Sequence, residues 1–99
     1  MKIVWDEPKR QANLVKHGLD FEDLVDGFDF ALAFSFEVLP SRTGRRRRMF
    51  VGEFAGELVV AVVTSPLGSE ALSVVSFRPA SKDERYIYGI EKSRRLRPE

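Results

Sequence analysis

The segment LVVAVVT, residues 58–64, is the strongest constraint on how this chain can fold. It carries no charge and consists almost wholly of β-branched and aliphatic side chains. It is far too short to cross a bilayer, which takes about 20 residues. Because its apolar residues are continuous and do not alternate with polar ones, it reads as a central strand with both faces covered. Such a strand needs a neighbour on each side, and the flanking sequence supplies them. Upstream, RRRRMFVGEF enters a strand that Ala55-Gly56 turns back on itself as a tight hairpin. Downstream, PLGS reads as a second turn, and EALSVVSF as the next strand.

The rest of the chain can be read outward from this sheet. KIVW is short and β-branched, and opens the chain as a strand. Asp6 can cap a following helix whose first turn holds Glu7 and Pro8. That helix runs to about His17, where Gly18 suits a left-handed C-cap and Lys16 and His17 meet the negative end of the dipole. Asp20 begins a second, short helix, with Phe21, Leu24, Val25 and Phe28 spaced to form one buried face. In FDFALAFSFEV the period changes to two, which predicts a strand over residues 28–38. Finally, SKDE at residues 81–84 matches a capping box for a last helix reaching about Arg95, with Ile87 and Ile90 on its inner side. The predicted class is α+β: a small curved antiparallel sheet in the order β-α-α-β-β-β-β-α, with two N-terminal helices and one C-terminal helix covering one face.

Ninety-nine residues make one domain, and a composition that is 43% apolar with eight Phe supports a modest core. With no cysteine and one histidine, disulfides are excluded and a zinc site is not expected. The start, MKIVWDEP, lacks an apolar h-region, so no secretion signal is read and a cytoplasmic protein is expected. The net charge of +1 hides an uneven distribution. Residues 1–39 sum to −4, residues 40–56 to +4, residues 57–77 to −2 and residues 78–99 to +3. Two basic blocks behind an acidic front suggest an anionic partner at one face, although a solvated arginine loop and a basic tail would give the same sums.

Several segments together resemble the BrnT family of bacterial toxins. Trp5-Asp6, Lys9, Asn13, Lys16-His17-Gly18 and Phe21-Glu22 stand at the spacing of the family's first block. Arg47, Val51-Gly52 and LVVAVVT match its middle, and Ser76, Arg78, Ala80, Glu84, Arg85 and Tyr88 match its last block. The chain departs from the pattern at Ser73, Phe77 and Pro79. This resemblance implies a RelE-like ribonuclease toxin of a type II toxin–antitoxin pair. Its expected partner is a BrnA-like ribbon-helix-helix antitoxin, forming a hetero-oligomer that meets operator DNA only through the antitoxin. No cofactor, metal or membrane is implied.

Metal-independent RNA cleavage uses the ribose 2′-OH as nucleophile, so the site must take that proton, stabilise charge on the phosphoryl oxygens and protonate the leaving 5′-oxygen. Arginine suits the second task through its planar, permanently charged fork. On that reasoning Arg47 and Arg78 are candidate phosphate binders, with a bond from Arg78 to helix-end carbonyls as the structural alternative. Candidate acids or bases are His17, Glu84 and Tyr88. Glu84 also completes the capping box, and Tyr88, like Tyr86, could stack on a base or pack. Lys9, Asn13, Lys16 and His17 form one polar ridge and are candidate RNA contacts with Arg45, Arg46 and Arg48, although both sets also fit an ordinary solvated surface. An inactive relative that only holds an antitoxin, or a sequence-independent RNA-binding domain, would share most of these features.

Overall fold

A computed structural model describes residues 2–96. Among these residues the elements are β1 (Lys2–Trp5), α1 (Glu7–His17), a 3-10 turn (Phe21–Asp23) running into α2 (Leu24–Gly27), β2 (Phe34–Val38), β3 (Arg47–Phe54), β4 (Leu58–Leu67), β5 (Ala71–Pro79) and α3 (Lys82–Leu96). They form one five-stranded sheet in the order β1-β5-β4-β3-β2. The LVVAVVT run lies in β4, at the centre. Arg97, part of the basic C-terminal block, lies outside the described residues.

Strands β2 to β5 form the expected antiparallel meander. β1 does not follow it. It pairs parallel with β5, from Lys2 opposite Ala71 to Trp5 opposite Val74, so the sheet is mixed and not purely antiparallel. No hairpin ties KIVW to its neighbour, and without a tight turn its direction is not restricted to antiparallel.

The central strand explains the layering. Val60 and Val62 point to one face, where they pack with Phe21, Leu24, Phe28, Phe50, Val74 and Phe77. Ala61 points to the other face, against Val51 and Ala80, with Val59 and Tyr88 alongside. The 3-10 turn and α2 therefore cover the first face and α3 covers part of the second. This corrects the expectation that all helices lie on one side, and it satisfies the doubly buried character of β4.

The phenylalanine-rich segment is only half strand. Asp29 Oδ1 accepts hydrogen bonds from the amides of Ala31 (2.9 Å) and Leu32 (3.3 Å). A side chain that offers the backbone such a local partner competes with the ladder, so the predicted strand over residues 28–38 shrinks to Phe34–Val38. Phe28, Phe30 and Phe50 instead stack edge to face, with centroids 4.9 and 5.1 Å apart. Phe21 and Leu24 are fully buried, but Val25 is 57% exposed, because the 3-10 turn winds the segment tighter than the helical period assumed.

Several smaller readings need adjusting. Asp6 occupies the N-cap position of α1 without making a side-chain cap, whereas Gly18 takes the left-handed C-cap with φ 69° and donates to the Leu14 carbonyl. The second hairpin turns at Gly68 to Glu70, not at Pro66, which remains in β4 opposite Leu72. Pro66 is tolerated there because β3 has already stopped pairing at Arg48 opposite Thr64, so no ladder bond is lost on that side. At α3 the capping box forms as predicted, but Ile87 and Ile90 face outward, 42% and 44% exposed. The inner stripe of α3 is Glu84, Tyr88 and Glu91.

Candidate nucleic-acid interface

Helix α1 is held at the edge of the sheet by one side chain. Asn13 is 7% exposed and donates Nδ2 to the carbonyls of Phe77 (2.8 Å) and Leu19 (3.0 Å). Its Oδ1 accepts from the Phe77 amide at 3.1 Å. Because β1 ends its pairing at Val74, the outer edge of β5 beyond that point lacks a strand, and the Asn13 carboxamide stands in for one. Asn13 is thus a structural bridge with both ends of its amide occupied.

This bridge splits the polar ridge expected on α1. Arg10, Asn13, Leu14 and His17 form the inward stripe, while Lys9 and Lys16 are exposed on the outside. His17 is half-buried at the sheet edge, and among the described residues it makes no hydrogen bond or ion pair with Arg47, Arg78 or Glu84. It stands one helical turn beyond Asn13, whose amide is fixed to the residue preceding Arg78.

Arg47 and Arg78 share the face of the sheet on which α3 lies. Arg78 is opposite Ala61, which is opposite Val51, and Arg47 is four residues before Val51 with the same side-chain direction. At ordinary strand rise and spacing their Cα atoms stand about 16 Å apart, at separate ends of the face. α3 covers the end of this face near Glu53. The remainder, lined by Phe36, Met49, Val63, Ser73 and Ser76, is half-exposed. Arg47 has no side-chain hydrogen bond or ion pair among the described residues.

The neighbouring arginines differ. Arg46 pairs with Glu37 across the hairpin, and Arg48 donates to the Ser35 hydroxyl (3.1 Å) from the opposite face. Arg45 is exposed in the loop. Arg78 itself is engaged: its Nη1 and Nη2 donate to the two oxygens of Glu84 at 2.7 and 2.8 Å, and Nη1 also reaches the Pro79 carbonyl at 3.2 Å. Arg78 therefore has structural partners, the Glu84 carboxylate and the strand-end Pro79 carbonyl and not the helix-end carbonyls expected, while it lies on the half-exposed face.

Two of the candidate proton carriers are poorly placed for transfer near neutral pH. The Arg78 guanidinium, together with the Ser81 amide, holds the Glu84 carboxyl down at about 2. Burial and a hydrogen bond to Glu53 push the Tyr88 hydroxyl up to about 12. Tyr88 donates to Glu53 Oε2 at 2.8 Å, and Lys92 donates to the same oxygen at 2.8 Å. Tyr88 thereby clamps α3 to β3. Lys92 and Tyr88 in turn lower the Glu53 carboxyl.

Glu53 and Arg10 matter structurally and did not stand out in the sequence. Arg10 donates to both oxygens of Asp20 (2.7 and 2.8 Å) and also to Glu7, tying α1 to the loop that follows it. The Glu7–Arg10 spacing of three was a legible signal. For Glu53, the signal was an acid at the same strand parity as the buried Val51. Among the described residues no group of three or more His, Cys, Asp or Glu could hold a metal ion, and no helix is long and apolar enough to cross a membrane.

Comparison with known proteins gives the family. A family model described as the ribonuclease toxin BrnT of type II toxin–antitoxin systems matches residues 5–84. The chain is similar to the crystal structure of the Brucella abortus ribonuclease toxin BrnT, at 52% identity and a TM-score of 0.66, covering 83% of this chain and 99% of that one. Among the curated proteins no match is found. The family match spans most of the chain, the first block, the middle and the strand bearing Arg78 included, and the chain belongs to the BrnT family of ribonuclease toxins of type II toxin–antitoxin systems.

Proposed function

We propose that this chain is a cytoplasmic endoribonuclease toxin that cuts single-stranded RNA without a metal, arrests translation and is neutralised by a ribbon-helix-helix antitoxin. The observation that carries the reading is the placement of Arg47 and Arg78 on one half-open sheet face of a BrnT-family chain. Their separation suits two phosphates of one strand. Arg78 would stabilise charge at the scissile phosphate, and Arg47 would hold a neighbouring phosphate. The exposed Arg45 and the paired Arg46 would add sequence-independent attraction, which falls steeply with salt. Lys9 and Lys16 are solvated and offer at most the same kind of attraction. His17, half-buried at the edge of β5, is the best-suited acid for the leaving 5′-oxygen, since Glu84 and Tyr88 hold their protonation states too firmly. A small, mostly antiparallel sheet with helices packed on it also suits the RelE-like reading.

The test is cleavage of a labelled single-stranded RNA by the purified chain in excess chelator, together with growth on expression without antitoxin. Cleavage and growth arrest that both disappear in Arg47→Ala and Arg78→Ala support the proposal. Normal growth and intact RNA sink it. A second reading, an inactive relative that binds antitoxin or RNA, is favoured by the engagement of Arg78, Glu84 and Tyr88 in internal hydrogen bonds. It predicts RNA binding without products, and tight binding of the antitoxin from the same operon.

A further inference from the structure

Glu84 completes a capping box, and that role alone does not require a partner for Arg78. Its Oε1 accepts from the Ser81 amide at 2.8 Å, while Ser81 Oγ accepts from the Glu84 amide at 3.2 Å. Yet the same carboxylate also receives both terminal nitrogens of Arg78, one on each oxygen. A guanidinium has five N–H donors and two edges suited to an oxyanion. Glu84 takes the edge formed by Nη1 and Nη2, and the Pro79 carbonyl takes a further Nη1 donor.

The other edge, Nε with the second Nη2 donor, has no acceptor among the described residues. No buried side-chain nitrogen or oxygen of a described, non-exposed residue lacks a hydrogen-bond partner, so Arg78 Nε, which has none, is not sealed from solvent. Arg78 is 30% exposed at its side chain and Glu84 16%. The more deeply placed member of the pair is therefore the carboxylate, and the arginine, rooted on the strand face, is the more exposed one.

Resting on the ribonuclease reading above, we propose that Glu84 is a positioning residue: it anchors one edge of Arg78 so that the opposite edge meets an RNA phosphodiester as a preset fork. A free arginine must lose rotamer freedom on binding, whereas one already held loses less, and a misplaced phosphate contact is costly. Because the capping box ties Glu84 to Ser81, the first turn of α3 sets the angle of the fork. Glu84 on this account neither takes the 2′-OH proton nor competes with the substrate for Arg78.

The test compares the full chain with Glu84→Gln, which retains a capping-box side chain, and Ser81→Ala, which loses only the hydroxyl cap. RNA affinity is read by fluorescence anisotropy of a labelled single-stranded oligonucleotide, and kcat and KM are read from about pH 5 to about pH 9. Glu84→Gln is expected to weaken binding and raise KM about tenfold, with the shape of the pH profile unchanged and Ser81→Ala near wild type. Tighter RNA binding in Glu84→Gln would mean competition and overturn the proposal. Loss of the acidic limb of the profile would make Glu84 the base and overturn it as well, as would no change in either readout. If Glu84→Gln fails to fold, Arg78→Lys with Glu84 intact takes its place. Its single ammonium cannot serve both edges, and wild-type affinity there would refute the fork. A wild-type chain that binds RNA but cuts none overturns the ribonuclease reading only, since the affinity arm still judges Glu84. No RNA binding by wild type overturns both.

Discussion

The carboxamide of Asn13 hydrogen-bonds both the N–H and the C=O of Phe77, fastening helix α1 to the unpaired edge of β5. Removing it orphans two buried backbone groups, each worth roughly 1–3 kcal/mol when left unsatisfied. Asn13→Ala should therefore destabilise the fold by about 2–4 kcal/mol, and Asn13→Asp by a similar amount, because a carboxylate keeps the acceptor, loses the donor and brings charge inside. For a domain of this size the melting temperature should fall by roughly 10 °C or more. A melting curve unchanged in Asn13→Ala would contradict the bridge.

How far the sequence foretold this is clearest at Asn13 itself. Its place in the family pattern was legible, but its role was not. A polar residue at helical spacing with Lys9 and His17 looks like a solvated ridge until the bare edge of β5 is known, and that edge exists only because β1 is short and parallel. Local signals fared better: the Gly18 cap, the capping box of Ser81 and Glu84, and the doubly buried β4 all depend on neighbours in sequence. The Phe28–Val38 strand failed because Asp29 offered the backbone a local alternative. For the site, the arginines could be named, but their faces followed from strand register, and the engagement of Glu84 and Tyr88 followed from where α3 landed.

Ala55 offers a gain in stability. It occupies the hairpin between β3 and β4 at φ 54°, beside Gly56 at φ 74°. A left-handed conformation costs an L-residue roughly 1–2 kcal/mol, and glycine escapes most of it at some entropic cost in the unfolded chain. Ala55→Gly, or Ala55→Asn, should stabilise by up to about 1 kcal/mol, seen as a higher urea midpoint with the same slope. A lower midpoint would show that the turn tolerates alanine without strain.

Stability should also fall with acid in a way that depends on Glu84. Its carboxyl is held at about 2 in the folded chain against an ordinary 4.5. A depressed carboxylate contributes above its unfolded value and loses that contribution as the pH falls through its folded value, which places the loss between about 4.5 and about 2. Asp20, lowered by Arg10, works in the same direction. After allowance for solvent screening, Glu84 should account for roughly 1–2 kcal/mol of the loss. Glu84→Gln should be less stable than wild type at neutral pH, with a shallower decline on acidification. Parallel declines in the two proteins would show that the pair contributes nothing.

Arg47 and Arg78 should separate cleanly by two measurements. Arg47 has no intramolecular partner among the described residues, so Arg47→Ala should leave stability within about 0.5 kcal/mol of wild type. Arg78→Ala strands the Glu84 carboxylate and should destabilise, by roughly 1–3 kcal/mol. Toward RNA both should lose affinity, each reducing the slope of log affinity against log salt by about 0.7, the value for one phosphate contact on a single strand. Unaltered salt slopes would remove both arginines from the interface. If Arg47→Ala changes the slope and Arg78→Ala changes stability alone, the half-open face binds RNA away from Glu84, and the fork at Arg78 serves only to hold α3.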